Sequence, residues 1–197
     1  MKNIKFYEKG LQFECQGSGQ CCTSHGEYGY VFLTLSDRRR MAKHLGIETR
    51  EFTQKYCQKN QGYFHLREDT GNPDCLFLKK KRCSIYAARP TQCRTWPFWP
   101  EVLNAKTWAK EVATFCPGVG KGEVHSLEKI ETIKNEQQKS ENELHSEALK
   151  IQKLFIKREA QPKIKLSANQ TSPSNSIKTT TRKKSTLTKK TSPRKRA

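Results

Sequence analysis

The stretch Cys83-Ser84-Ile85-Tyr86-Ala87-Ala88-Arg89-Pro90-Thr91-Gln92-Cys93-Arg94-Thr95-Trp96-Pro97-Phe98 sets two cysteines ten positions apart around an Arg-Pro step and follows them with aromatic residues. Thiolates are soft ligands for zinc and iron, and a site needs four of them, or three and a histidine, gathered from segments that need not be adjacent. The remaining cysteines supply those segments. Cys15-x5-Cys21-Cys22 lies upstream, Cys75 precedes Cys83 by eight positions, and Cys116 is followed by Pro117. Gly17 and Gly19 stand inside the first loop, where glycine lets the backbone bend tightly enough for both ends to face one ion. In an extended segment neighbouring side chains point to opposite sides, so Cys21 and Cys22 are expected to serve different partners.

The seven candidate ligands are therefore Cys15, Cys21, Cys22, Cys75, Cys83, Cys93 and Cys116. Their spacing matches neither the paired knuckles of a zinc ribbon nor the closely spaced ferredoxin run, so zinc and an iron-sulfur cluster both stay open. Cys57 follows Tyr56 in an amphipathic helical pattern and reads as a small buried residue. His25, His44, His65, His125 and His145 show no paired spacing, and His25, three residues past Cys22, reads as a surface-loop residue. Arg89 and Arg94 would either offset the charge of a thiolate cluster or bind a carboxylate. The run Trp96-Pro97-Phe98-Trp99-Pro100 reads as an apolar wall shielding the site, with a stacking platform as the alternative.

Every cysteine and all three tryptophans fall between residues 15 and 116, which places the folded domain there. Tyr30-Val31-Phe32-Leu33-Thr34 predicts a strand. Ser36 is expected to cap a helix carrying Asp37 in its first turn and Met41 and Leu45 on its apolar face, with Gly46 as the stop. Phe52 and Tyr56 predict a second helix from Thr49. Tyr63-Phe64-His65-Leu66 and Leu76-Phe77-Leu78 read as two strands joined by the turn residues Asp69 to Asp74. A helix over about 103–115 ends at Pro117-Gly118. Glu123 to Glu159 predicts one long helix, or two broken near Ser140, with a narrow apolar stripe. The expected fold is α+β: a small, loop-rich, metal-stapled domain over 1–122, a charged helical extension over 123–161, and a disordered Lys/Arg/Ser/Thr-rich tail over 162–197.

Of the 197 residues only 34% are hydrophobic, so part of the chain lacks a packed interior. The net charge of +19 favours polyanionic partners. Residues 162–197 hold eleven Lys and Arg and no acid, leaving 27 basic and 19 acidic side chains before them. Such a tail has too little apolar surface to offset its ordering entropy. The opening MKNIKFYEKG lacks the apolar run of a secretory signal, and no long uncharged apolar stretch predicts a transmembrane segment. A cytoplasmic protein is expected, and in a reducing compartment eight cysteines read as metal ligands rather than disulfides.

The first cysteine loop, Phe13-Glu14-Cys15-Gln16-Gly17-Ser18-Gly19-Gln20-Cys21-Cys22, the stretch from Cys83 to Phe98, and Cys116-Pro117-Gly118-Val119-Gly120-Lys121-Gly122 together resemble the YkgJ-type cysteine-cluster family, a zinc- or iron-chelating domain. The resemblance covers roughly residues 10–125. It implies a metal ion or cluster held by clustered cysteines, although members often carry a cysteine where Ser18 stands. A similar cysteine region in flagellin lysine N-methylases implies an iron-sulfur cluster, which tilts the expectation that way, and by analogy a metal- or redox-dependent protein-modifying enzyme is the alternative. Against an enzyme, no glycine-rich nucleotide loop or catalytic pairing stands out. A third reading is a nucleic-acid-associated protein with a structural metal, in which the basic tail binds phosphates without sequence preference. Deleting residues 162–197 is expected to abolish salt-sensitive retention on DNA or RNA while leaving metal content intact; retention that survives the deletion removes the tail from that role.

Overall fold

The computed structural model describes residues 5–23, 29–68, 71–72 and 74–159. The basic tail and His25 lie outside the described residues. Those residues belong to one compact unit of helices and three small antiparallel sheets, an α+β arrangement. No described helix is long and apolar enough to cross a membrane.

The first sheet pairs β1 (Leu11–Phe13) with β6 (Val119–His125), matching Leu11 to His125 and Gln12 to Val124. It brings the chain just before Cys15 against the chain just after Cys116. Gly118 makes this approach possible: its carbonyl accepts from the Glu14 amide at 3.1 Å, and a Cβ there would lie 2.4 Å from the Glu14 carbonyl oxygen.

Helix α1 (Leu35–Leu45) starts two residues earlier than a Ser36 cap would place it. Thr34 is the N-cap, in a capping box whose N3 residue is Asp37. Gly46 closes it in the left-handed region, as its position predicts. Helix α2 (Thr49–Tyr56) buries Phe52 completely and leads directly into β2 (Cys57–Asn60), which pairs with β3 (Tyr63–Leu66). The expected pairing of Tyr63–Leu66 with Leu76–Leu78 does not occur. Instead β4 (Leu78–Lys79) turns back through Lys80 and Lys81, both at positive φ, onto β5 (Arg82–Cys83). Residues 30–34 form one bridge, Phe32 to His65, rather than a full strand.

Helix α3 (Thr91–Thr95) is short. Beyond it α4 (Ala105–Thr107), a π-turn over Trp108–Val112 and α5 (Ala113–Phe115) run on as one helical stretch. Helix α6 (Leu127–Glu159) is a single helix of 33 residues with no break at Ser140, which is buried.

Two apolar cores result. One gathers Leu33, Met41, Phe52, Leu66, Phe77 and Ile85; the other gathers Tyr7, Phe13, Phe98, Trp108, Val112 and Ile130. Helix α6 reaches both sides of the unit through polar contacts. Glu131 accepts from Lys5 at 2.6 Å and Tyr7 at 2.8 Å; Glu136 holds Arg94 through bonds of 2.9 and 2.6 Å. Gln137 accepts from the buried Thr95 hydroxyl at 2.7 Å, and Glu147 takes the Leu35 amide at 2.6 Å and Arg38 at 2.7 Å.

Helices α1 and α3 are tied at Asp37, which is 1% exposed. Its Oδ2 accepts from the Thr34 amide and hydroxyl at 3.2 and 3.0 Å, and its Oδ1 from the Thr91 amide and hydroxyl at 2.9 Å each. One carboxylate thus caps α1 and seats the first residue of α3. Its loss strands several buried donors, so Asp37→Ala is expected to destabilise the fold by about 2–4 kcal/mol in chemical denaturation.

Lys134 and Lys5, the chief causes, hold Glu131 down to about 2 from its ordinary 4.5. A carboxylate lowered in the folded state contributes stability that is present above its unfolded value and is lost as pH falls toward the folded value. Melting temperatures measured between pH 5 and 2 should therefore drop less steeply for Glu131→Gln than for the parent, and parallel curves would discount this contact.

Candidate metal centre

Each cysteine is carried by its own local structure. Cys15 lies two residues past the end of β1. Cys21 and Cys22 sit in a single 3-10 turn, Gln20–Cys22, that begins after Gly19 at φ 75°. A Cβ on Gly19 would stand 2.7 Å from the Lys81 carbonyl oxygen, so glycine lets this turn lie against the β4–β5 hairpin. Cys75 is pinned to the same turn by its amide, which donates to the Cys22 carbonyl at 2.7 Å. Cys83 lies in β5 opposite Leu78. Cys93 occupies the middle of α3, and Cys116 ends the helical stretch after α5.

The position of Cys93 is fixed from three sides. The Asp37 carboxylate seats Thr91. The Gln92 side chain acts like a piece of backbone, accepting from the Phe32 amide at 2.9 Å and donating to the Tyr30 carbonyl at 3.2 Å. Arg94 and Thr95 are held by Glu136 and Gln137 of α6.

Six of the seven predicted cysteines line one small cavity of about 50 Å³: Cys15, Cys21, Cys22, Cys75, Cys83 and Cys93. Among the described residues its lining includes no histidine, aspartate or glutamate, and Arg89 is the charged residue there. Cys116 does not line it, but stands close enough to Cys21 and Cys15 for their charges to raise its thiol further. Cys57 is buried in the first core and away from the cavity, with burial pushing its thiol up to about 11.

The expectation that Cys21 and Cys22 point apart does not hold, because the pair is in a tight turn rather than extended. Their sulfurs are 3.9 Å apart, close to the ~3.8 Å edge of a tetrahedron of thiolates about 2.3 Å from zinc. The remaining sulfurs face the cavity without being set around one point: among the described residues no three His, Cys, Asp or Glu side chains are already arranged to hold an ion. No disulfide joins the cysteines.

Electrostatically the cavity is a poor place for neutral thiols to ionise one by one. The hydrogen bond from Cys22 favours a thiolate on Cys21, lowering it to about 7, and that bond and burial together push Cys22 far upward. Burial raises Cys75 to about 11 and drives Cys93 and Cys83 upward too. A cation reverses this balance, because a metal binds the thiolate and deprotonates it outright. Donors are already in place for the charged form. Arg89 favours the thiolates of Cys21, Cys83 and Cys93, and its guanidinium stacks 3.6 Å from the Tyr86 ring centre. At Cys116, burial raises the thiol, while the Gly118 amide and the Trp96 indole N–H both favour its charged form. That indole nitrogen is buried and meets no acceptor, sulfur included, in hydrogen-bonding geometry.

The two arginines divide the roles left open for them: Arg89 lines the thiol cavity, whereas Arg94 binds the Glu136 carboxylate. Of the described histidines, none lines the cavity; His65 is buried against Tyr30 with ring centres 4.0 Å apart. Sequence reasoning passes over Asp37 and Gln92 as positioning residues. Asp37 reads as an ordinary first-turn acid, and nothing local marks Gln92.

An uncharacterized protein of Methanocaldococcus jannaschii is 31% identical over 129 residues, which cover 62% of this chain and 67% of that protein. No solved structure matches. Residues 14–117, which contain all seven candidate cysteines, match the CxxCxxCC family, described as "Putative zinc- or iron-chelating domain", and the chain belongs to that family.

Proposed function

We propose that Cys15, Cys21, Cys22, Cys75, Cys83, Cys93 and Cys116 hold an iron-sulfur cluster. The observation that carries this reading is the lining of one small cavity by six cysteines and, among the described residues, no histidine or carboxylate. Iron-sulfur centres take an all-thiolate shell. More sulfurs face the cavity than the four a mononuclear site needs, and a polynuclear centre uses the surplus. Such a cluster, when bound, supplies one-electron transfer. The side chains around it would set its potential: Arg89 offsets thiolate charge, and the Trp96 and Gly118 N–H groups stabilise the Cys116 sulfur.

Zinc is the second reading, favoured by one distance: the 3.9 Å between the Cys21 and Cys22 sulfurs suits two corners of a tetrahedron. Either centre fits a protein of a reducing, cytoplasmic compartment, where these thiols stay available for metal.

Protein purified without oxygen is expected to be brown, with broad visible absorption and iron and sulfide in comparable amounts. A colourless protein with stoichiometric zinc overturns the cluster and keeps the chelating domain. In the same preparation Cys93→Ser should lose most of its metal and melt earlier, because metal binding and folding are coupled. Cys57→Ser should retain its metal, and equal retention by both variants would take Cys93 out of the ligand set.

A further inference from the structure

A second, larger cavity of about 660 Å³ shares Cys21 and Cys93 with the thiol cavity. Its size lies within the roughly 300–1,000 Å³ of small-molecule sites. Three aromatic rings build one corner of it. Trp96 meets Trp99 at 4.7 Å between ring centres and 75° between planes, and meets Phe115 at 6.4 Å and 89°.

The corner is rigid for reasons already in the fold. Trp99 donates its indole N–H to the Gln92 carbonyl and the Thr95 hydroxyl, each at 3.1 Å. The Trp96 N–H is buried inside the protein. Both indole N–H groups lie inside the protein, and both rings line the cavity. The negative face of an aromatic ring attracts a cation, and several rings set at right angles form the enclosure that recognises alkylated ammonium groups.

The charged residues lining this space agree. Glu101 and Glu111 both line it, both are exposed, and among the described residues neither carboxylate makes an ion pair. In a chain with 38 basic and 19 acidic residues, two carboxylates beside an aromatic corner with no lysine or arginine claiming them mark a local reversal of the overall charge.

We propose that this cavity binds a small alkylated ammonium compound, its cationic head against Trp96, Trp99 and Phe115 and its charge balanced by Glu101 and Glu111. The inference goes beyond the metal reading and stands on the aromatic geometry; it touches the centre through Cys21 and Cys93.

The test uses full-length protein purified without oxygen, with metal content determined in every sample. Choline and its neutral carbon isostere, 3,3-dimethylbutan-1-ol, are titrated by calorimetry and by tryptophan fluorescence. Choline should bind at least about tenfold more tightly than the isostere. The double variant Glu101→Gln, Glu111→Gln should lose most of that preference while its melting temperature, metal content and affinity for the isostere stay unchanged. Equal affinity for both probes, no binding of choline, or a preference that survives the double substitution overturns the proposal. Protein that binds choline as expected but holds no metal supports the cavity and sinks the centre, so the two readings fail separately.

Discussion

Desolvation of several thiols at one place is the constraint around which this molecule is organised. A lone buried cysteine such as Cys57 is an ordinary small apolar residue, and burial simply keeps its proton on. Six cysteines around a cavity of about 50 Å³ are different, because each thiolate formed there raises the cost of the next. The arrangement is held by interactions elsewhere: a turn that needs Gly19, a strand pair that needs Gly118, and a helix seated by a buried carboxylate. Membership of a metal-chelating family gives those costs a purpose, since a bound cation turns mutual repulsion into shared attraction.

The polar contacts that matter most are the ones that fix the short helix α3. Asp37 links the start of α1 to the start of α3, and Gln92 fastens α3 to the Tyr30–Phe32 segment. From the far side, Glu136 and Gln137 hold the next turn of the same short helix. A five-residue helix has little stability of its own. Cys93 is therefore where it is because its neighbours at 91, 92, 94 and 95 are bonded to three different parts of the molecule.

Much of this was legible in the residues. The helix from Thr49, the strand Tyr63–Leu66 and the helical stretch before Cys116 follow from periodicity and from the turn residues around them. The α+β class and the separateness of Cys57 follow in the same way. The errors have local causes. Ser36 and Thr34 are both good caps, and only the reciprocal bond to Asp37 selects Thr34. Tyr63–Leu66 finds its partner in Cys57–Asn60, a polar segment without a strand pattern, because two residues of turn at Gln61 and Gly62 favour the nearer pairing. Cys21 and Cys22 look divergent only if the chain there is extended, and the glycines beside them curl it instead. The strand Val119–His125 is hidden by its glycines, since its pairing with Leu11–Phe13 rests on backbone bonds across more than a hundred residues.

Helix α6 comes last in the described chain, yet it grips the carrier of Cys93 through Glu136 and Gln137 and the mouth of α1 through Glu147. During synthesis every one of the seven sulfurs leaves the ribosome before that helix is complete. The nascent domain thus passes through a stage in which its thiols are all present and its final clasp is still missing, and the proposed centre would have a natural interval for loading between those two events.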